Sequence, residues 1–165
     1  MGNRLKYRMY GLVPYNISPI QQGIQFGHAV VEYAQSHFTQ GDYQMWAKQD
    51  KTFIILNGGT SSTMVDNQRL LNEARITTGS FFEPDLNDML SGIVFLVDER
   101  VYDRETYPDF KTWMIKRNPN NELIPLQTTQ TLIDTFQRPY EEWSEMIGGE
   151  KNVFLKQFLT NFRLA

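Results

Sequence analysis

The sequence predicts an α/β protein: a three-layer α/β/α sandwich built on a small mixed sheet, with a mainly helical C-terminal extension. Three observations carry this. Between residues 5 and 97, short apolar runs alternate with segments of helical period, as in sheets covered by helices. Those runs are bounded by Pro, Asn and Gly, the residues that stop strands. Beyond Val97 the strand-like runs give way to helix-like segments punctuated by prolines and by Gly148-Gly149. The expected organisation is therefore an α/β domain over 5–97 and a helical extension over 98–165 packed on it.

In chain order, residues 7–13 read as the first strand, ended by Pro14, which brings no N–H to a ladder. Ser18 before Pro19 is a helix start, a capping hydroxyl followed by the proline that the first turn tolerates. On that helix Gln21, Gln25, His28 and Glu32 fall at spacings of four, three and four, which makes one polar stripe. Ile20, Ile24, Gly27, Val31, Ala34 and Phe38 form the opposite arc, expected to press onto the sheet and to leave His28 at the border of core and water. A short amphipathic piece over 42–47 supplies Met45 and Trp46. The β-branched and aromatic run 52–56 has the character of a central strand buried on both faces, and Asn57-Gly58-Gly59 stop it. A helix over 66–75 is expected to turn Leu70, Leu71 and Ala74 inward and to exit at Gly79. Strands over 80–83 and 92–97 complete the domain. In the extension, helix-like segments cover 108–116, 129–136, 140–147 and 152–162, and the last repeats Phe154, Phe158 and Phe162 every fourth residue, a core stripe.

Bulk properties narrow the function. A chain of 165 residues can bury a real core, and its lack of cysteine removes disulfides, thiolate metal sites and a cysteine nucleophile, with cytoplasm as the default compartment. No apolar run is long enough for a signal peptide or a membrane span. The net charge of −3 comes without any Lys/Arg block, so no broad nucleic-acid surface is indicated. Arg4, Lys6 and Arg8 alternate with Leu5, Tyr7 and Met9, which reads as a solvated strand face or, more sharply, as a phosphate contact. His28 and His37 lack any HExxH context, and neither a Walker loop, a G-x-G-x-x-G nor a G-x-S-x-G elbow occurs, so no metal or cofactor is expected. Gly58 to Thr63 read as a capping-rich loop, with small-nucleotide binding as the sharper alternative.

The candidate chemistry lies where Glu83-Pro84-Asp85 closes a strand with two carboxylates around a proline. A strand end of this kind holds acids at the rim of a sheet and suits general-base work if burial raises a pKa; the plain alternative is a capped turn in solvent. Asn16 and Ser18 follow another strand and are expected at the same rim, with Gln21, Gln22, Gln25 and His28 further along the helix.

The run Gln25-Phe26-Gly27-His28-Ala29, on a helix after an N-terminal strand, resembles the Gln-x-x-His-Ala signature of the archaeal and eukaryotic (type-two) peptidyl-tRNA hydrolases. Trp46 before a strand, the helix with Leu70, Leu71 and Ala74, the turn Glu83-Pro84-Asp85-Leu86 and the strand Ser91-Gly92-Ile93-Val94 come in the same order. The resemblance spans roughly residues 5–97. It implies a compact α/β domain, commonly a homodimer, that hydrolyses the ester joining a peptide to the terminal ribose of tRNA without metal or organic cofactor. The chain departs from that pattern where Pro14-Tyr15-Asn16-Ile17-Ser18-Pro19 stands for a Lys- and Gly-rich loop, where Gln21 stands at a usual lysine, and where Glu83-Pro84-Asp85-Leu86-Asn87 replaces an Asp-Ala-Gly-x-Thr turn and its hydroxyl. On this reading Glu83 or Asp85 orients or deprotonates the attacking water, Gln25 and Ser18 position the ester or its oxyanion, and His28 holds the geometry or assists proton transfer; Asn16, Gln21 and Gln22 complete the substrate-binding set. The missing lysines equally suit a catalytically silent binding module that meets a protein partner through its C-terminal helices.

Overall fold

The computed structural model describes residues 2–165. The chain forms two compact units: one contains the residues up to Glu99 together with Phe158–Ala165, the other is Arg100–Gln157. The first is a three-layer α/β sandwich on a four-stranded mixed sheet of order β2-β1-β4-β3, where β1 is Tyr7–Val13, β2 Thr52–Asn57, β3 Gly79–Glu83 and β4 Met89–Asp98. β1 and β2 pair in parallel and β4 runs antiparallel to both β1 and β3, so β1, β2 and β3 end at one rim. Around the sheet lie α1 (Pro19–His37), α2 (Gly41–Met45), a π-turn at Trp46–Asp50 and α3 (Ser61–Glu73).

Local chemistry sets these boundaries. The Ser18 hydroxyl accepts from the Gln21 amide and Pro19 occupies the first turn, which starts α1. Thr60 caps α3 through the Thr63 amide, so that helix begins five residues before the expected 66 and turns Met64, Asn67 and Leu71 inward, leaving Leu70 37 % exposed. Gly79 is the first residue of β3 rather than a helix exit; α3 ends at Ala74 and Arg75, whose φ of 59° reverses the chain.

Two expectations about the core are overturned. The run 52–56 is not central: β2 is an edge strand with Thr52 and Phe53 exposed. Its outer side is partly completed by the chain's last residues, where Leu164 bridges to Leu56, the Ala165 amide donates to the Ile55 carbonyl and the Asn57 amide donates to the Arg163 carbonyl. That pairing also draws 158–165 out of the expected extension, and Phe158 packs its ring 6.2 Å from that of Phe95, with Phe162 next to it.

The second correction concerns α1, which docks by the face opposite to the one its apolar arc suggests. Gln25, Phe26, Ala29 and Tyr33 are buried, whereas Ile20 is 76 %, Val31 55 % and Phe38 61 % exposed. The sheet supplies the reason. A Cβ on Gly92 would lie 2.6 Å from the Gln25 carbonyl oxygen, and one on Gly79 would lie 2.7 Å from that of Ala29. Glycines on β3 and β4 therefore let the helix backbone settle onto the sheet, and Phe26, Tyr33 and Trp46 fill the space around it with Met9, Val13 and Val94. Gly92→Ala is expected to lose about 1–3 kcal/mol of stability through overpacking, measured by urea denaturation of the whole chain. On the other face, α3 packs on β4, and Met64 seats over Gly58 and Leu12.

The second unit is helical. After α4 (Glu99–Tyr102), which begins at the unit boundary, come α5 (Phe110–Arg117), α6 (Thr129–Thr135), α7 (Gln137–Met146) and α8 (Glu150–Phe158). Phe110, Met114, Ile124, Leu132, Trp143 and Ile147 form its core, and the Trp143 indole donates to the Pro108 carbonyl at 2.9 Å. Buried Lys156 donates to the carbonyls of Val101 and Tyr107, an arrangement that satisfies a cation inside a small core. Among the described residues no helix is long and apolar enough to cross a membrane.

Candidate functional site

The rim where β1, β2 and β3 end carries a chain of polar side chains that joins three elements. From β4, Ser91, wholly buried, donates its hydroxyl to Gln25 Oε1 at 2.7 Å and more weakly to the Phe81 carbonyl at 3.3 Å. From α1, Gln25, only 2 % exposed, donates Nε2 to Glu83 Oε2 at 2.7 Å. At the end of β3, Glu83 Oε1 accepts the Asp85 amide at 3.3 Å, which caps the 3-10 turn Pro84–Leu86. The amide orientation is dictated by charge: an ionised carboxylate only accepts, so the NH2 of Gln25 must face Glu83 and its oxygen must take the serine proton.

The register shifts where Phe81 pairs with Gly92 and Phe82 with Leu90, so Ser91 is the extra residue on β4. The extra residue of a bulge is left out of the ladder, and here its hydroxyl bonds Gln25 and the Phe81 carbonyl. The His28 ring rests on Phe81 with centroids 4.3 Å apart, its edge in solvent.

Glu83 is held below the ordinary glutamate range, first by the Gln25 hydrogen bond, then by the Asp85 amide and weakly by the charge His28 carries when protonated, against a small opposing effect of burial. This reverses the direction that general-base work would want. At neutral pH the group is a fixed anion and a weak base, suited to accepting a hydrogen bond from water. The two donors leave lone pairs free on a half-exposed carboxylate, so a water at the rim can still be oriented. A depressed folded value means that ionised Glu83 favours the folded state above the ordinary glutamate range, and that this contribution fades as pH falls through the lower folded value. Gln25→Leu is expected to raise the Glu83 carboxyl toward its ordinary value, read by carbon-13 NMR of the side chain; an unchanged titration would show that Gln25 does not hold it.

The other expected site residues divide clearly. Asp85 contributes its backbone amide while its side chain stands in solvent, so Glu83 is the acid of the network. Gln25 is too buried to touch a substrate and acts as a positioning residue rather than an ester contact. Ser18 caps α1, and Gln22 Nε2 donates to the Pro14 carbonyl, which stiffens the loop after β1. Asn16, Ser18 and Gln21 are exposed there. The same rim includes the loop 58–63: the Gly58 amide donates to the Val13 carbonyl, the Tyr15 amide to that of Gly59, and the Thr60, Ser62 and Thr63 hydroxyls bond one another as a helix cap. Arg4, from the cationic face, forms a two-pronged pair with Asp50, which also accepts the Tyr7 amide.

Ser91 is the member that sequence reasoning missed as a site residue. Its signal was a lone hydroxyl inside the apolar strand run Met89-Leu90-Ser91-Gly92-Ile93, where burial demands a partner. Among the described residues no group of three or more His, Asp or Glu stands close enough to hold a metal ion. A broad, open polar depression of about 660 Å³ lined by Arg117–Glu122 belongs to the second unit and contains none of these residues.

No family model matches the chain, and no curated protein matches it.

Proposed function

We propose that the first unit is a divergent ester hydrolase of the peptidyl-tRNA hydrolase type, with Glu83 orienting the attacking water. The observation that carries this reading is the 2.7 Å bond between Gln25 and Glu83, which ties the helix bearing the Gln-x-x-His-Ala run to the acidic turn across 58 residues of sequence. It puts a fixed anion outside the carboxyl ends of three strands, where open α/β sheets bind ligands. In the reaction, the water oxygen bonds to the acyl carbon as its proton is drawn off, the ester C–O bond breaks, and the ribose oxygen leaves carrying a proton. Glu83 aligns the water; the hydroxyl of Ser18 and the amides of Asn16 and Gln21 are the exposed donors of the adjoining loop and first turn for the substrate. Peptidyl-tRNA as substrate implies a cytoplasmic setting. The test is release of peptide from peptidyl-tRNA by the whole chain, against a heat-killed control; absence of release ends the assignment.

One observation favours a second reading, a binding module without turnover. Glu83 is already used as a turn cap with a lowered pKa, and Gln21 offers no cation to a phosphate or an oxyanion. In that case tRNA would fail to compete with a protein partner at moderate salt, and the salt dependence of phosphate contacts would be absent.

A further inference from the structure

The sheet has two edges, and the chain treats them differently. On β2 the residues 163–165 pair along part of the outer side. β3 is the other edge, and its only ladder is with β4. The Phe81 carbonyl faces β4, where the Ser91 hydroxyl reaches it, so alternation turns the main-chain N–H and C=O of Ser80 and of Phe82 outward. Among the described residues none of these four groups has a hydrogen-bond partner. Phe82 is 53 % exposed, and the run Gly79-Ser80-Phe81-Phe82-Glu83 contains neither the lysine nor the proline that commonly guards such an edge. The open edge leads straight to the candidate acid, because Glu83 is its last residue.

Two donors and two acceptors in strand register are complementary to an extended peptide backbone, which adds to the sheet as a further strand. Chemistry fixes its direction. For the acyl end of a peptide to arrive at Glu83, the peptide must run parallel to β3, since an antiparallel one would bring its amino end there. With the last residue of the peptide opposite Glu83, the slanted parallel pattern sets every bond. The N–H of that last residue donates to the Phe82 carbonyl. The residue two before it accepts from the Phe82 amide and donates to the Ser80 carbonyl, and the carbonyl two residues further back accepts from the Ser80 amide. All these atoms belong to the main chain, so the edge holds peptides of differing sequence. Neighbouring strands lie about 4.8 Å apart, which brings the acyl carbon within reach of a water held by Glu83.

We propose that the free edge of β3 is the subsite for the peptide part of the substrate, bound as an added parallel strand with its ester carbonyl at Glu83. That the peptide is a substrate rests on the hydrolase reading; the pairing itself does not. The test is an N-methyl scan of N-acetyl-tetra-alanyl-tRNA with the unaltered chain. Methylating the nitrogen of the second or fourth alanine removes a donor that the edge uses, and is expected to lower kcat/KM about fivefold or more, the worth of one hydrogen bond. Methylating the third removes a donor that points away from the sheet and should change kcat/KM less than about twofold. The second position decides, because it is remote from the ester. Equal losses at the second and third positions, or none at either, overturn the subsite. If the unmethylated substrate is not hydrolysed at all, the hydrolase reading fails and the edge is judged by binding. N-acetyl-tetra-alanine amide titrated into the nitrogen-15-labelled chain should then shift the Ser80 and Phe82 amides, and the form methylated at its second residue should shift them less. Amides that stay in place at about 10 mM peptide overturn the pairing as well.

Discussion

Glu83→Gln is expected to slow peptidyl-tRNA hydrolysis by about 10²-fold, the usual cost of misplacing a reacting group by about 1 Å, while leaving the fold in place. The substitution removes charge and keeps shape. The single amide oxygen can accept from Asp85 or from Gln25, so one of these two hydrogen bonds is kept and the other is lost. The loss is of an anion that accepts from water regardless of how that water turns. Rates under single-turnover conditions separate this from substrate binding: on the proposed role the chemical step falls and binding hardly changes. Ser91→Ala should act in the same direction and more weakly, because it frees the Gln25 amide to rotate and leaves a buried oxygen without its donor. Retained activity in Glu83→Gln would reduce the carboxylate to a turn cap and overturn its role in orienting the water.

Phe26→Ala is expected to cost about 3–5 kcal/mol of stability, whereas Ile20→Ala should stay within about 0.5 kcal/mol, both from urea denaturation at protein concentrations below any self-association. Phe26 is buried against the sheet at Gly11, and its ring meets Phe53 edge-on at 5.2 Å. Ile20 projects into solvent from the first turn of the same helix. Equal costs would mean that α1 docks by its aliphatic arc.

That pair of variants marks the boundary of what the residues disclose. Strand and helix positions in the first unit were legible because they rest on local chemistry: Pro14 ending β1, Ser18-Pro19 opening α1, and the turn residues around Glu83. The face of α1 was not. Its aliphatic arc repeats with helical period, but that period reports only that one side is apolar, and here the apolar side faces outward. Docking was decided by glycines on β3 and β4, more than forty residues away, which only pairing brings under the helix. β2 misled for a related reason: a β-branched run fits an edge as well as a centre, and strand order is a property of the whole sheet.

The candidate site shows the same division. Gln25, His28 and Glu83 stood out by residue type and spacing, yet their roles depended on partners distant in sequence. Burial turned Gln25 from a substrate contact into a support, and two donors pulled Glu83 downward in pKa where an apolar pocket would have pushed it up. By itself the sequence determined the α/β class, the capped start of α1 and most of the residues able to do chemistry, because each is set by neighbours a few positions away. Tertiary structure alone decided which face of α1 is core, which strand is an edge, that Ser91 orients Gln25, and which way Glu83 titrates. Those outcomes arise from contacts that exist only once distant segments exclude water together.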